Sequence, residues 1–427
     1  MSILFHYGTV LTLFRWLADL DHLLPKLVNT SGDWSHRQVL QSTASVSGSR
    51  SRQTNPKPSG NVAGNPTPHS SVNNNMIGFD LFSGAGGMSL GAIASGVEVK
   101  LAVDSDLYAT ATYQANHPEV DVQTCDIASL NDISVTIPDG VQTVVFGGPP
   151  CQGFSTSNQR TRSKDNPKNW LFSHYLRIVK MLMPDWVVFE NVKGITETAG
   201  GFFLDEVVTS LTSTGYTVSK WVLNAADFGV PQRRWRLFIV ASLHGHSVDQ
   251  PKPTVSTPIT VQEAIGDLPI LRNGAKVSSL PYRKTSPSAY ASLMRGELTA
   301  CSNHLVTASN PAILERYRHI PSGGNWKDIP ENLMENYADR ERCHTGIYKR
   351  LRPNEPSIVI GNFRKNMLIH PSQTRGLSVR EAARLQSFPD HFEFTGSIGF
   401  QQQQVGNAVP PLLAEAVFNS IRELRKA

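Results

Sequence analysis

Two residues in the first half of the chain have side chains suited to covalent chemistry on an aromatic ring. Cys151 follows the loop Gly-Gly-Pro-Pro at 147–150, and Glu190 follows a short apolar run. A thiolate can add to an electron-poor ring carbon, and a carboxyl group can protonate a ring nitrogen. A lone cysteine is more often a small buried hydrophobe, and a lone glutamate is often solvated. The rigid loop favours an exposed thiol, so we predict that Cys151 and Glu190 face one cleft.

A glycine-rich turn, Phe-Ser-Gly-Ala-Gly-Gly at 82–87, comes directly after the apolar run that begins at Met76. Small residues let the backbone approach a ligand closely, and Asp104, at the end of the next predicted strand, could accept hydrogen bonds from a ribose. Asp126 could play a similar part near an adenine amino group. The pattern indicates a nucleoside-bearing cofactor and leaves NAD and S-adenosylmethionine both open.

A basic segment, Gln-Arg-Arg-Trp-Arg at 232–236, precedes a predicted strand at 237–241. Alternation along a strand places Arg234 and Arg236 on one face, where their guanidinium groups could hold a phosphate or a base oxygen. The alternative is a solvated basic edge. Metal chemistry is not predicted, because the four cysteines include no Cys-x-x-Cys pair and the histidines lack a second ligand at metal spacing.

The elements that must position these residues alternate between strand and helix. Short apolar runs predict strands, and two segments with helical spacing predict helices that end before Pro118 and Pro184. The predicted strands are 76–82, 99–103, 120–124, 143–146 and 186–189, and the predicted helices are 108–116 and 171–182. This order implies βαβ crossovers and a mostly parallel sheet covered on both faces. Ligands of such an α/β fold bind beyond the carboxyl ends of the strands.

Composition separates the chain into regions with different properties. Its 427 residues predict two or three domains, and 40% hydrophobic with 18% charged residues is typical of a globular protein. Residues 41–75 include 24 Ser, Thr, Asn, Pro or Gly residues out of 35, which predicts a disordered leader over 1–75. Residues 76–249 carry 12 Lys and Arg against 17 Asp and Glu, and residues 250–352 carry 14 against 9. A basic segment beside an acidic one suits a protein that faces a polyanion.

Six short segments of the chain, taken in order between Phe79 and Val417, resemble the motifs of the DNA cytosine-5 methyltransferase family. The first three are Phe-Asp-Leu-Phe-Ser-Gly-Ala-Gly-Gly at 79–87, Pro-Cys at 150–151 and Glu-Asn-Val at 190–192. The last three are Gln-Arg-Arg-Trp-Arg at 232–236, Arg-Leu-Arg-Pro at 350–353 and Gln-Val-Gly-Asn-Ala-Val-Pro-Pro at 404–411. Each motif is short, but their number and order make the resemblance specific.

The resemblance implies site residues beyond those that the sequence indicates alone. The implied catalytic residues are Cys151, Glu190, Asn191, Arg234 and Arg236. The implied S-adenosylmethionine ligands are Phe79, Asp80, Phe82, Ser83, Gly84, Gly86, Gly87, Asp104, Asp126, Pro149, Asn407 and Val409. The loop after the nucleophile would close over DNA through Gln152, Ser155, Arg160, Arg162 and Lys164. The last helix would pack beside the first strand and bring Asn407 and Val409 to the cofactor.

The resemblance also implies a domain order and partners. We expect a Rossmann-like catalytic and cofactor-binding domain at 76–245, a smaller target-recognition domain at 246–349, and a return to the catalytic domain at 350–427. The expected partner is double-stranded DNA with one cytosine flipped out. A separately acting restriction endonuclease, a monomeric state and a bacterial cytoplasmic location follow from the resemblance alone. No membrane contact is expected, because no stretch of the sequence is long and apolar enough to span a bilayer.

Three alternatives remain open from the sequence. An NAD-dependent oxidoreductase would explain the glycine-rich turn and Asp104 but would leave Cys151 and Glu190 without a function. A DNA-binding regulator that has lost catalysis would not need both Cys151 and Glu190. An RNA cytosine-5 methyltransferase uses the same chemistry, and the roughly hundred-residue variable region favours DNA over it.

Overall fold

The computed structural model describes residues 76–150, 170–277, 279–283, 287–335, 346–361 and 363–424. Seven strands of this described part form one sheet. They are β1 Met76–Leu81, β2 Val97–Asp104, β3 Asp121–Thr124, β4 Gln142–Gly147, β5 Trp186–Val192, β6 Thr217–Asn224 and β7 Trp235–Ser242. Their order across the sheet is β3-β2-β1-β4-β5-β7-β6. All pairs are parallel except those of β7, which runs antiparallel to β5 and β6. The predicted α/β fold with a mostly parallel sheet is confirmed.

Helices cover both faces of this sheet, as buried strands require. The sheet helices are α1 Gly87–Ala94, α2 Leu107–Asn116, α3 Leu171–Leu182, α4 Phe202–Ser213 and, at the end of the chain, α10 Pro411–Leu424. One hydrophobic core lies under α1 and α10, and a second lies under α3 and α4. Every residue of β1 is buried, because side chains that alternate along the strand enter both cores.

The last helix packs most closely on α1, the helix after the first strand, and this refines the expectation that it lies beside β1. A Cβ atom on Gly91 of α1 would be 2.5 Å from the backbone nitrogen of Glu415 and 2.5 Å from the carbonyl oxygen of Pro411. Only glycine permits so close an approach of two helices. The contact brings the segment before α10 to the helix that follows the glycine-rich turn.

The region between β7 and the return of the chain contains only short elements. They are α5 Val261–Ile265, β8 Ser279–Pro281, α6 Ala289–Arg295, β9 Ala300–Ser302 and α7 Pro311–Arg318. Two further helices, α8 Val379–Leu385 and α9 Ile398–Asn407, follow in the return segment. Side chains from both sides of the predicted boundary at 349/350 share one hydrophobic core. That boundary, and the target-recognition role of 246–349, stay predictions.

Buried charges join these two segments. Arg384 of α8 donates to Asp390 at 2.6 and 2.8 Å and to Asp267, which follows α5, at 2.7 Å. His304 is buried and bonds to Ser378 and to the carbonyl oxygen of Pro269, each at 2.8 Å. Its ring nitrogens are thus occupied by protein groups.

Among the described helices, none is long and apolar enough to cross a membrane.

Candidate active site

A cavity of about 700 Å³ opens beyond the carboxyl ends of β1, β2, β4 and β5. This volume lies in the range of small-molecule and cofactor sites. Ten of the twelve predicted cofactor ligands line it: Asp80, Phe82, Ser83, Gly84, Gly87, Asp104, Asp126, Pro149, Asn407 and Val409. Four of the five predicted catalytic residues line it too: Glu190, Asn191, Arg234 and Arg236. The fold thus gathers residues from both ends of the described chain around one space.

The carboxylate of Asp104 fixes the glycine-rich turn. One of its oxygens accepts the backbone N–H of Gly84 at 2.8 Å, and the other accepts that of Asp106 at 2.8 Å. Gly84 has a φ of 54°, a left-handed conformation that glycine adopts without strain. Asp126 caps the short helical turn after β3 by accepting the N–H of Ala128 at 2.9 Å. Both acids therefore hold backbone at the cavity and keep lone pairs for a ligand.

Asp80 and Ser83 in the cavity wall each have a buried polar atom, Oδ1 and Oγ, without a hydrogen-bond partner among the described residues, and Nε of Arg234 is a third such atom. The other carboxyl oxygen of Asp80 accepts from Ser89 at 2.6 Å, and Tyr113 donates to Ser89 at 2.6 Å. Burial raises the pKa of Asp80 to about 8. Because an unsatisfied buried polar atom is costly, the pair on Asp80 and Ser83 indicates a ligand with complementary polar groups.

Glu190 and Arg236 form an ion pair at the cavity wall, with Nε of the arginine 2.9 Å from Oε1 of the glutamate. The antiparallel pairing of β5 with β7 sets Arg236 opposite Val192, and so brings the two side chains together. Burial raises the pKa of Glu190, and the guanidinium groups of Arg236 and, to a smaller extent, Arg234 offset part of that rise. The carboxyl group is thus held in place and biased toward its protonated form, as a proton donor requires.

The residues around Glu190 are fitted closely to it. Asn191 donates from its side-chain amide to the carbonyl oxygen of Pro149 at 3.3 Å, which links β5 to the loop after β4. Gly148 lies against the carboxylate, and a Cβ atom there would be 2.6 Å from Oε2 of Glu190. The sequence did not single out Gly148, although its place in the Gly-Gly-Pro-Pro loop was the available signal.

Arg234 also lines the cavity, but it does not bond to Glu190. Its guanidinium donates to the carbonyl oxygens of Ile360 at 3.0 Å, Gly406 at 3.3 Å and Ala408 at 3.0 Å. Only 2% of the residue is exposed. The two arginines predicted to share one face therefore contact different parts of the site.

Two predicted cofactor ligands do not line the cavity. Phe79 is 1% exposed and packs in the core under α3 and α4, because alternation along β1 turns it to the opposite face from Asp80. Gly86 precedes α1 with a φ of 94°, where a Cβ atom would be 2.9 Å from the ring of Tyr113. Its role here is to let the turn pass that ring.

Several predictions fall on residues outside the described ranges. They are the leader at 1–75, the nucleophile Cys151, and the loop residues Gln152, Ser155, Arg160, Arg162 and Lys164. The cavity wall itself includes Pro150, the residue before Cys151.

The cavity wall also includes residues that the sequence did not indicate, among them Asp106 and Gln403. Asp106 could have been recognised as the N-cap of α2, whose first N–H groups it accepts.

Comparison with known proteins agrees with this arrangement. A family model for C-5 cytosine-specific DNA methylase matches residues 76–423. The Type II methyltransferase M1.HphI of Haemophilus parahaemolyticus is 38% identical over 349 residues, which cover 81% of this chain and 86% of that protein. The Type II methyltransferase M.DdeI of Desulfomicrobium norvegicum is 34% identical over 368 residues, covering 80% and 87%.

A solved structure shares the fold. The crystal structure of a putative DNA modification methyltransferase encoded within an E. coli prophage superimposes with a TM-score of 0.66 at 26% sequence identity, covering 82% of this chain and all of the other. The family model spans most of the chain, and residues of five of the six sequence motifs line the cavity. The resemblance seen in the sequence is confirmed: the chain belongs to the C-5 cytosine-specific DNA methylase family and is a DNA (cytosine-5)-methyltransferase.

Proposed function

We propose that the protein methylates carbon 5 of a flipped-out cytosine in a specific double-stranded DNA sequence, through a covalent adduct with Cys151 and with S-adenosylmethionine as methyl donor. The observation that carries this proposal is the Glu190–Arg236 pair in the same cavity as the glycine-rich turn and Asp104. One space therefore offers a proton donor for a base and a wall for a nucleoside.

The described residues fit S-adenosylmethionine. The acceptor Oδ1 of Asp80 and the hydroxyl of Ser83 are buried and unpartnered in the described part of the chain, and they match the ammonium and carboxylate groups of a methionyl moiety. Asp104 and Asp126 keep acceptor capacity for the ribose and the adenine amino group, and Asn407 and Val409 complete the opposite wall. When bound, the cofactor supplies an electrophilic methyl group.

The chemistry of the chain's own residues follows from the poor nucleophilicity of cytosine carbon 5. The thiolate of Cys151 adds to carbon 6 while Glu190 delivers a proton to ring nitrogen 3, so the added electron pair makes carbon 5 nucleophilic. After methylation, the carbon 5 proton passes to solvent, the bond from carbon 6 to the sulfur of Cys151 breaks with release of the thiolate, and the proton on ring nitrogen 3 returns to the carboxylate of Glu190, which restores the aromatic ring. Arg236 holds the carboxyl group of Glu190 for this proton transfer, and by family analogy it also contacts the base oxygen.

A cytosine inside a duplex cannot reach these groups, because neighbouring bases cover both ring faces. The base must be extruded, at a cost of about a few kcal/mol for lost stacking and pairing. We assign DNA reading to residues 246–349, which lie largely within the basic segment 250–352. Since M1.HphI and M.DdeI are named Type II methyltransferases, we also propose a modification role beside a separate restriction endonuclease in a bacterial cytoplasm.

Trapping the adduct tests this proposal without knowledge of the target sequence. A library of random duplexes made with 5-fluorocytosine in place of every cytosine contains all short recognition sequences. Fluorine cannot leave as the carbon 5 proton does, so the expected product with S-adenosylmethionine is a protein–DNA species that survives denaturation. Cys151→Ser should abolish it, and Cys125→Ser, which changes a half-buried cysteine at the cavity edge, should retain it.

Two further arms separate the alternatives. Bisulfite sequencing of unsubstituted DNA after the reaction should show 5-methylcytosine at one recurring sequence. Transfer of labelled methyl groups to transfer RNA but not to duplex DNA would assign the protein to RNA instead. Absence of any adduct from protein that binds S-adenosylhomocysteine would reject the covalent mechanism.

A further inference from the structure

Arg234 forms a bracket between three segments that are far apart in the chain. Its guanidinium reaches the carbonyl oxygens of Ile360, Gly406 and Ala408, which lie 126, 172 and 174 residues later. The side chain is almost fully buried. Hydrogen bonds from a buried charge to neutral acceptors are among the stronger ones in proteins. Losing them removes a donor from each of the three carbonyls, of which that of Ile360 retains the side-chain amide of Gln386 at 3.4 Å.

Two of these carbonyls belong to the residues on either side of Asn407, which lines the cavity. Asn407 lies between Gly406 and Ala408, and Val409 follows them, and all four residues line the cavity. The segment 406–409 has no room to move toward Gly361, because a Cβ atom on Gly406 would be 2.2 Å from the carbonyl oxygen of that residue. The position of this wall is therefore set by backbone contact on one side and by Arg234 on the other.

Buried amides support the same bracket. Gln232 accepts the N–H of Ile360 at 2.8 Å and donates to Gln386 at 2.8 Å. Gln386 in turn donates to the carbonyl oxygen of Val405 at 2.8 Å. Gln232 and Arg234, two residues apart before β7, thus face the returning chain. The next residue in this alternation, Arg236, faces Glu190 instead.

We propose that the two arginines of this motif have separable roles: Arg234 is a positioning residue for the cofactor wall at 406–409, whereas Arg236 serves the proton-donating carboxyl group of Glu190. This inference rests on the proposed use of S-adenosylmethionine and refines it. It makes cofactor affinity depend on a residue that holds the wall at 406–409 through backbone carbonyls.

A pair of single variants tests the separation, with S-adenosylhomocysteine as the binding probe in titration calorimetry. Arg234→Lys keeps the charge but cannot reach three carbonyls at once, so the dissociation constant should rise about tenfold or more. Arg236→Gln should leave that constant within about twofold and lower kcat. The charges of Arg236 and, less strongly, Arg234 lower the pKa of Glu190. Removing the charge of Arg236 should therefore move the alkaline limb of the kcat profile to higher pH, whereas Arg234→Lys, which keeps its charge, should not.

Each outcome has one meaning. If Arg234→Lys binds S-adenosylhomocysteine as tightly as the unchanged protein, or if it shifts the pH profile as Arg236→Gln does, the separation is overturned. If the unchanged protein does not bind the probe, the proposed cofactor fails first. Thermal melting without the probe shows whether each variant is folded. If Arg234→Lys does not fold, two other variants replace it. Asn407→Ala, which leaves the hydrogen bonds of Arg234 intact, must weaken binding of S-adenosylhomocysteine. Gln232→Glu must also weaken that binding, without changing the pH profile of kcat.

Discussion

Gly148 and Glu190 are in direct contact: a Cβ atom at position 148 would stand 2.6 Å from Oε2 of the glutamate and 3.7 Å from its carboxyl carbon. Two heavy atoms that are not bonded do not approach to 2.6 Å when one is carbon, so glycine is required where the carboxylate turns toward Arg236. The loop after β4 therefore helps to fix the orientation of the acid on β5.

Gly148→Ala should displace the carboxyl group of Glu190 and lengthen its 2.9 Å contact with Arg236. A misplacement of about 1 Å at a reacting group costs about a hundredfold in rate, so we expect kcat to fall by that order. Single-turnover methylation of duplex DNA measures it. Gly376→Ala is the matched control, because its added Cβ would meet only the carbonyl oxygen of Leu368, at an ordinary 3.6 Å. Equal rates for both variants would contradict the steric argument.

Glu190→Gln should remove the proton donor while keeping the shape of the side chain. General acid catalysis contributes about a hundredfold to ten-thousandfold, and we expect kcat to fall within that range. The control is Glu197→Gln, which makes the same change of charge on an exposed residue just after β5. A Glu190→Gln enzyme that retained most of its rate would mean that another group protonates the base.

The strand ends could be predicted from the sequence because two local signals coincide there. Apolar runs mark the buried strands, and Asp104 and Glu190 are the first polar residues after two of these runs, so their positions followed from short segments. The predicted strand at 186–189 was too short, since β5 continues through Glu190 to Val192. Polar residues inside a buried strand interrupt the apolar pattern, and here they are the residues that line the cavity.

The partners of these residues could not be predicted, because they depend on register and on distant segments. The contact between Glu190 and Arg236 needs the antiparallel pairing of β5 with β7, which no local pattern encodes. The carbonyls that Arg234 holds come from more than 120 residues later. Helix α9 was also missed, because its run of four glutamines gives no apolar stripe, although three of the four are buried.

Asp80→Asn should stabilise the ligand-free protein at alkaline pH relative to the unchanged chain. The folded carboxyl group keeps its proton up to a pKa of about 8, whereas the unfolded one loses it near 3.8, so folding becomes less favourable as the pH rises between these values. The hydrogen bond from Ser89 opposes this burial-driven rise in the pKa of Asp80, and the nearby carboxylate of Asp104 adds to it.

The asparagine variant lacks this titration, so its advantage in unfolding free energy should grow from pH 4 to pH 8 by about a few kcal/mol and then level off. Denaturant unfolding at pH 5 and at pH 8.5 measures the difference. Asp139→Asn, on an exposed turn, should show no such growth. A constant difference across the range would mean that Asp80 is ionised in the folded protein throughout.

Gly91→Ala tests whether the end of the chain holds the cofactor site through helix packing. The new methyl group would lie 2.5 Å from backbone atoms of Pro411 and Glu415 and 2.6 Å from the Cβ of Ala414, so α10 must move away from α1. Overpacking of this kind costs about 1–3 kcal/mol of unfolding free energy. Thermal and denaturant unfolding measure that loss, with Gly376→Ala as the control.

The same substitution should weaken binding of S-adenosylhomocysteine, although no atom of Gly91 lines the cavity. Asn407 and Val409 immediately precede α10, and Gly87, the first residue of α1, lies against the carbonyl oxygen of Val409, only 2.4 Å from where its Cβ would be. A shift of α10 therefore moves the cofactor wall relative to the glycine-rich turn. A variant that is destabilised yet binds the probe with unchanged affinity would show that the wall is set by Arg234 and Gly406 alone, independently of the helix that follows it.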